Sequence, residues 1–254
     1  MPAALVTGAA SGIGRAVAER LLTDGYDVLA ADLRADAADT PAAAASSGRA
    51  ATPFAADLTT RDGNAGAVRA ALDAFGRLDL VVANAGVQHV APVREFPEDR
   101  WEQILALLLT SPFLLAKHAW DALAASGDGR FVVVASVHAL VASPFKAAYV
   151  SAKHGVLGLV KTLALEGAEH GITATAVCPG YVRTPLVERQ LADQARAHGV
   201  SEERVLEEVI LEPHAVKRLI EPSEVADVVA FLAGPGGRAF TGVPVTMDLG
   251  WSAR

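Results

Sequence analysis

The stretch Ala4-Leu5-Val6-Thr7-Gly8-Ala9-Ala10-Ser11-Gly12-Ile13-Gly14 joins a short apolar run to a helical pattern through three glycines. Glycines permit a tight turn and let a pyrophosphate approach the backbone. The helix N-terminus that follows offers free N–H groups and the positive end of a dipole. The spacing is G-x-x-x-G-x-G rather than the commoner G-x-G-x-x-G. Its position between a first strand and a first helix is what makes it read as a dinucleotide loop. Gly8, Ser11, Gly12, Ile13 and Gly14 are the candidate contacts in this loop.

Outward from this loop, short apolar runs alternate with longer helical patterns. Strands are expected at Ala4–Thr7, Asp27–Ala31, Ala50–Ala55, Leu80–Ala83, Arg130–Ser136, Thr173–Cys178 and Val243–Met247. Helices are expected at Gly12–Thr23, Arg61–Phe75, Glu98–Ala125, Ala148–Glu169 and Pro222–Leu232, and the alanine tract Ala42–Ala45 reads as a helix surface. Continuously apolar strands separated by helices imply a parallel sheet covered on both faces. The expected fold is therefore α/β, a single Rossmann-type doubly wound domain over residues 1–254 with seven parallel strands. Thr184 to Ile220 breaks the rhythm. It holds no strand pattern, is rich in Glu, Arg and Ala, and reads as a helical lid over the carboxyl ends of the strands.

The loops at those ends carry the other cofactor candidates. Asp32 ends the second strand, eighteen residues after Gly14. A carboxylate there can take both ribose hydroxyls and repels a 2′-phosphate, which points to NAD rather than NADP. Arg34, two residues on, reads as solvent-facing or packed on adenine. Asp57 and Leu58 follow the third strand, and Asn84 and Gly86 follow the fourth. Pro179, Gly180, Val182 and Thr184 lead from the sixth strand into the lid.

The 254 residues are 52% hydrophobic with a net charge of −7, and Lys and Arg are scattered. That balance argues against a nucleic-acid or anionic-membrane partner. Cys178 is the only cysteine, so no intrachain disulfide can form, and it reads as a buried strand end. A reducing, cytoplasmic compartment follows as the expectation. The strand-like run from Ala3 leaves no space for a secretory leader in this sequence, and the longest apolar runs are too short to span a bilayer. No metal site is assigned.

The chemistry lies in Tyr149-Val150-Ser151-Ala152-Lys153, with Ser136 thirteen residues upstream. The spacing puts a phenol and an ammonium on one helix face, one turn apart. A phenol has a reference pKa of about 10, and a nearby cation lowers it. With a serine hydroxyl beside them, the pair can move a proton on and off an alcohol oxygen. The hydride that must leave at the same time needs a cofactor.

Thr7-Gly8-x-x-x-Gly12-x-Gly14, Asn84-Ala85-Gly86, Ser136, Tyr149-x-x-x-Lys153 and Pro179-Gly180 together resemble the short-chain dehydrogenase/reductase family across the whole chain. The resemblance implies Ser136, Tyr149 and Lys153 as catalytic, with Tyr149 and Lys153 also against the cofactor. A narrower resemblance is to bacterial D-3-hydroxybutyrate dehydrogenases. It rests on Asn84 to Pro92, Ser136 to Ser143, Lys146 to Tyr149, Arg183 to Glu188 and Gly250 to Arg254. It implies a hydroxy-acid or keto-acid substrate whose carboxylate meets Gln88, His138, Lys146 and Gln190. Their chemistry suits that task, since Lys146 supplies charge, the two glutamines amide donors, and His138 a ring N–H. The resemblance also implies a homotetramer, and Ala147, Ala148, Ala152, Gly155 and Gly158 make a small-residue face that suits close helix packing.

Two positions depart from the family pattern. Leu108 stands where the family usually carries an Asn thought to hold a water on the route from the lysine to solvent. Tyr181 stands where a pocket Trp is usual, which bears on the substrate's alkyl end. The expected reaction is reversible oxidation of (R)-3-hydroxybutyrate to acetoacetate with NAD. Other readings are a related hydroxy acid or secondary alcohol as substrate, or, given Leu108, NAD binding without turnover.

Overall fold

The computed structural model describes residues 1–33, 48–188 and 191–253. Seven strands form one parallel sheet: β1 (Ala3–Thr7), β2 (Asp27–Asp32), β3 (Ala51–Ala55), β4 (Leu80–Ala83), β5 (Gly129–Val134), β6 (Ile172–Pro179) and β7 (Pro244–Met247). Their order is β3-β2-β1-β4-β5-β6-β7. The order reverses between β1 and β4, which are direct neighbours with Leu5 opposite Val81. A reversal sends the connecting loops apart on either side, and the gap between them is where ligands enter folds of this kind.

Alternation along β1 explains both cores. Leu5 points to one face with Leu29, Val81 and Phe131, against Val68, Leu115, Val156 and Val160 of the helices α2 (Arg61–Phe75), α4 (Ser111–Ser126) and α5 (Ala147–Gly167). Val6 points to the other with Val28, Val82 and Val132, against Val17 and Leu21 of α1 (Gly12–Thr23) and Val225 and Val229 of α9 (Pro222–Ala233). Each large side chain so buried contributes roughly 1.5–3 kcal/mol.

The helix expected over Glu98–Ala125 is interrupted. An α-helix, α3 (Glu98–Leu105), passes into a π-helical turn over Ala106–Thr110 before α4 begins. The Ser111 N–H reaches back five residues to the Ala106 carbonyl. Pro112 is the physical reason: it has no N–H for the Leu108 carbonyl, and its ring would crowd that carbonyl in a regular helix. Leu108 lies in the turn, buried against Ala148 and Ala152 of α5.

The lid is helical where described: α6 (Pro185–Glu188), α7 (Leu191–His198) and α8 (Glu202–Val205), followed by a π-helical turn over Leu206–Ile210. Ala195, Val205, Ile210 and Leu219 give it a small core of its own, with Tyr181 packed against it. The stretch is not wholly without strand pairing. Ile220 bridges Val182, with Ile220 N–H to Tyr181 O at 2.9 Å and Arg183 N–H to Ile220 O at 2.9 Å. That bridge ties the two ends of the lid together. The expectations for Ala42–Ala45, Arg34 and Gln190 lie outside the described residues.

Candidate active site

The loops after β1 and β4 interlock at the point where the strand order reverses. Gly8 and Gly12 have φ of +67° and +54°, a region other residues rarely adopt. A Cβ on Gly14 would fall 2.1 Å from the Gly8 carbonyl oxygen. The Asn84 amide donates to the carbonyls of Thr7 and Gly8 at 2.9 and 3.4 Å. The Thr7 hydroxyl accepts the N–H groups of Asn84 and Ala85 at 2.9 and 3.1 Å. Asn84 therefore shapes the glycine loop, and Thr7, part of the motif but given no role by its spacing, is its counterpart. Asp32, at the end of β2, accepts the Ala10 N–H at 3.0 Å and the Leu33 N–H at 2.8 Å, which sets its carboxylate at the mouth of the loop.

A cavity of about 540 Å³ runs from these loops across the carboxyl ends of the strands to Trp251. Gly8, Ser11, Gly12, Ile13, Asp32, Asp57, Leu58, Asn84, Gly86, Pro179, Gly180, Val182 and Thr184 line it, as do Gln88, Ser136, His138, Lys146, Tyr149 and Lys153. Of the described candidates from the sequence, all but Gly14 line this one cavity; Gly14 packs against the Gly8 carbonyl behind the loop. Leu107, Leu108 and Val87 close it on the α3–α4 side, and Leu186 and Val187 on the lid side.

β5 ends at Val134, two residues short of the expected strand end, and Ser136 begins a 3-10 turn over Val137–Ala139. The chain turns after Ser136 because the Ser136 hydroxyl accepts the His138 N–H at 3.1 Å. The turn still brings the two side chains together, with Ser136 Oγ 3.3 Å from His138 Nδ1. Tyr149 and Lys153 rise from α5, with the Lys153 ammonium 5.4 Å from the Tyr149 ring centre and donating to the Val134 carbonyl at 2.8 Å.

Burial governs the titration of the site. It pushes the Tyr149 phenol up to about 12, opposed by the Ser136 hydroxyl, and pushes Lys153 down to about 8. The lowered phenol expected from the Tyr-x-x-x-Lys spacing is therefore not the state of this pocket. Burial also pulls Lys146 down to about 7 and, together with the positive charge of Lys146, holds His138 near 3 and neutral. Cys178 is a buried thiol within β6, pushed up to about 11 by burial.

At the far end of the cavity the Lys146 ammonium donates to the Tyr181 hydroxyl at 2.6 Å and sits 4.7 Å from the centre of its ring. Tyr181 stacks on Trp251 at 5.6 Å, and the His138 ring meets Trp251 edge-on at 5.3 Å. Trp251 is held there by a turn whose Ser252 N–H and hydroxyl donate to Asp248. Gln88 Oε1 and His138 Nε2 are buried with no hydrogen-bond partner among the described residues. The arrangement offers a proton-transfer group at one point and, beside it, a cation with unused polar atoms. The small-residue face of α5 is in part occupied within the chain. Ala148 and Ala152 pack on Leu108, and Gly155 leaves just enough room for Leu109.

The family model described as short chain dehydrogenase matches residues 2–195. An uncharacterised oxidoreductase of Bacillus subtilis, YxjF, is 44% identical over 99% of this chain and 98% of its own length. A D-beta-hydroxybutyrate dehydrogenase of Rhizobium meliloti is 42% identical over 99% and 98%. Among solved structures, a short-chain type dehydrogenase/reductase from Mycobacterium marinum superposes with a TM-score of 0.88 at 28% identity, covering 100% of this chain and 96% of that one.

Proposed function

Because the chain belongs to the short-chain dehydrogenase family, we propose that this oxidoreductase interconverts (R)-3-hydroxybutyrate and acetoacetate with NAD. The observation that carries the substrate is Lys146. It is a lysine only 3% exposed, with burial as the sole cause of its shift and no carboxylate beside it among the described residues. A buried ammonium without a counter-charge is costly, and an anionic ligand end relieves that cost. Gln88 and His138 line the same cavity; the unpartnered buried atom of Gln88 is its amide oxygen, an acceptor, so what it would offer a carboxylate is the amide N–H, and His138 would offer its unpartnered Nε2. Gln190 belongs to this reading through the family resemblance.

The residues of the glycine loop fit a dinucleotide. The close approach of Gly8 and Gly14 leaves no side chain over the first turn of α1. The Asp32 carboxylate, already at the loop mouth, suits ribose hydroxyls and opposes a 2′-phosphate. Held by the glycine loop and Asp32, NAD would supply the acceptor for the hydride of the carbinol carbon. Tyr149 exchanges the proton with the substrate oxygen, giving it in the direction of ketone reduction and, as phenolate, taking it in the direction of oxidation. Lys153 supplies the positive charge that favours the phenolate. Ser136 holds the reacting oxygen, and its bonds within the Val137–Ala139 turn fix its position. Lys146, Gln88 and His138 hold the carboxylate, which aligns the carbinol with Tyr149. A cytoplasmic homotetramer belongs to the same reading. The family resemblance supports it, and sedimentation tests the tetramer.

Lys146→Ala and Gln88→Ala test the carboxylate assignment. Losing a charge-assisted hydrogen bond is worth about 1.5–3 kcal/mol, so Lys146→Ala raises KM for hydroxybutyrate roughly ten- to a hundredfold. Steady-state kinetics with an unchanged KM removes Lys146 from its role.

A further inference from the structure

Lys146 uses one of its three N–H bonds on Tyr181, and the phenol accepts it at 2.6 Å. The phenol's own O–H has no acceptor within hydrogen-bond geometry among the described residues, although Tyr181 lines the cavity. Behind Tyr181, on α7 of the lid, stands Gln194. Its side chain is 1% exposed, and neither its oxygen nor its nitrogen has a hydrogen-bond partner among the described residues. Its neighbour Ala195 shares the lid's core with Tyr181, which sets this helix against the phenol, and the Gln194 amide opposes the larger effect of burial on the phenol's titration. A buried amide with no partner is a burden on the fold, and a leucine of similar size would remove it. These groups meet where the lid rests on the substrate end of the cavity, since Tyr181 also packs into the lid's own core.

We propose that Tyr181 is a specificity-determining residue, whose phenol oxygen holds Lys146 on the cavity wall while its O–H donates to the substrate carboxylate. Gln194 is a positioning residue that acts through Tyr181, turning the hydroxyl toward the ligand when the lid is down. The carboxylate site is thereby shared between α5, which follows Lys146, and the lid. The proposal rests on the reading of the substrate as a short carboxylate-bearing alcohol. It extends that reading to residues with no role in the Gln88, His138, Lys146 and Gln190 set.

The test pairs turnover with binding of acetate, the smallest carboxylate, titrated calorimetrically into wild type, Tyr181→Phe, Gln194→Leu and the double variant. Tyr181→Phe weakens acetate and raises KM for hydroxybutyrate by about tenfold, the effect of one hydrogen bond to a charged group, with a much smaller change in kcat. Gln194→Leu gives the same split at smaller size, and the double variant is no worse than Tyr181→Phe alone because both act through one hydroxyl. Gln194→Leu also raises Tm by a few degrees, the opposite of what loss of a structural residue does. Acetate affinity and KM at wild-type values in Tyr181→Phe overturn the proposal while leaving the hydroxybutyrate reading standing. A lowered Tm in Gln194→Leu with unchanged KM makes the amide part of the fold and overturns its positioning role. If wild type ignores hydroxybutyrate but binds acetate and Tyr181→Phe weakens it, the carboxylate site stands and the substrate is a different acid. If wild type binds no acetate, the carboxylate role of Tyr181 falls, while turnover of hydroxybutyrate decides the substrate reading separately.

Discussion

Tyr149 and Lys146 set how the site responds to pH. With its phenol pushed up to about 12, Tyr149 is a proton donor at neutral pH, so ketone reduction proceeds from the prevailing form. Alcohol oxidation draws on the phenolate, whose fraction grows with pH. Lys146, pulled down to about 7, is a cation below that value and loses its charge above it in the free protein. The signs therefore oppose each other. In the oxidation direction kcat rises with pH, while KM for hydroxybutyrate also rises as pH passes through 7. A bound carboxylate favours the ammonium and shifts that second transition upward. Initial rates across pH 6–9 check both trends, and a KM that falls as pH rises contradicts the role of Lys146. Tyr149→Phe removes the proton donor without removing a contact of the core and lowers kcat by about 10²–10⁴. Single-turnover rates read that loss apart from binding.

At the scale of elements, the π-helical turn over Ala106–Thr110 is the point of contact between the α3–α4 segment and the helix that carries Tyr149 and Lys153. Leu108 fills that contact and also lines the cavity. Leu108→Ala leaves a hole against Ala148 and Ala152 and costs about 2–5 kcal/mol of stability, as for other buried leucines. Because α5 then loses a support beneath Tyr149, kcat falls with it. Thermal denaturation and kinetics on the same sample test this, and a fall in Tm with kcat intact would separate Leu108 from the catalytic helix. The turn was hard to read in advance. An apolar pattern such as Ile104 to Leu109 serves an α-helix and a π-turn alike, and only Pro112, four residues beyond Leu108, marks the break. The strands were legible because a parallel sheet buried on both faces demands continuous apolar runs, and each of the seven lies within two residues of its expected ends. The Val182–Ile220 bridge was not, since two residues paired across a long lid leave no local period to find.

For the molecule as a whole, the reversal of strand order between β1 and β4 brings the dinucleotide loop and the reactive residues to one edge of the sheet. That Gly8, Gly12, Asp32, Ser136, Tyr149 and Lys153 line one cavity was legible because they stand at strand ends and one helical turn apart. The surroundings of Lys146 were less so: its hydrogen bond to Tyr181, and the stacking of Tyr181 on Trp251, join residues far apart in sequence. The interlock of Gly8, Gly14 and Asn84 holds the two halves of the sheet in register at this edge. Gly14→Ala places a Cβ 2.1 Å from the Gly8 carbonyl and 2.5 Å from the Asn84 amide, so the loops must part. Affinity for NADH falls well over tenfold, read by fluorescence titration, while the remote α2 and α4 core keeps its far-ultraviolet circular dichroism. NADH binding at wild-type strength would contradict the account of this joint.

Tyr149, proposed to transfer the proton, and Lys146, proposed to bind the carboxylate, share one cavity with the glycine loop. The most direct test of this pairing is NADH formation, followed by absorbance, when purified protein is mixed with NAD and (R)-3-hydroxybutyrate. Turnover with NAD is expected well above that with NADP, and with the hydroxy acid well above that with 2-butanol, which lacks the carboxylate. Turnover of 2-butanol without turnover of the hydroxy acid contradicts the pairing.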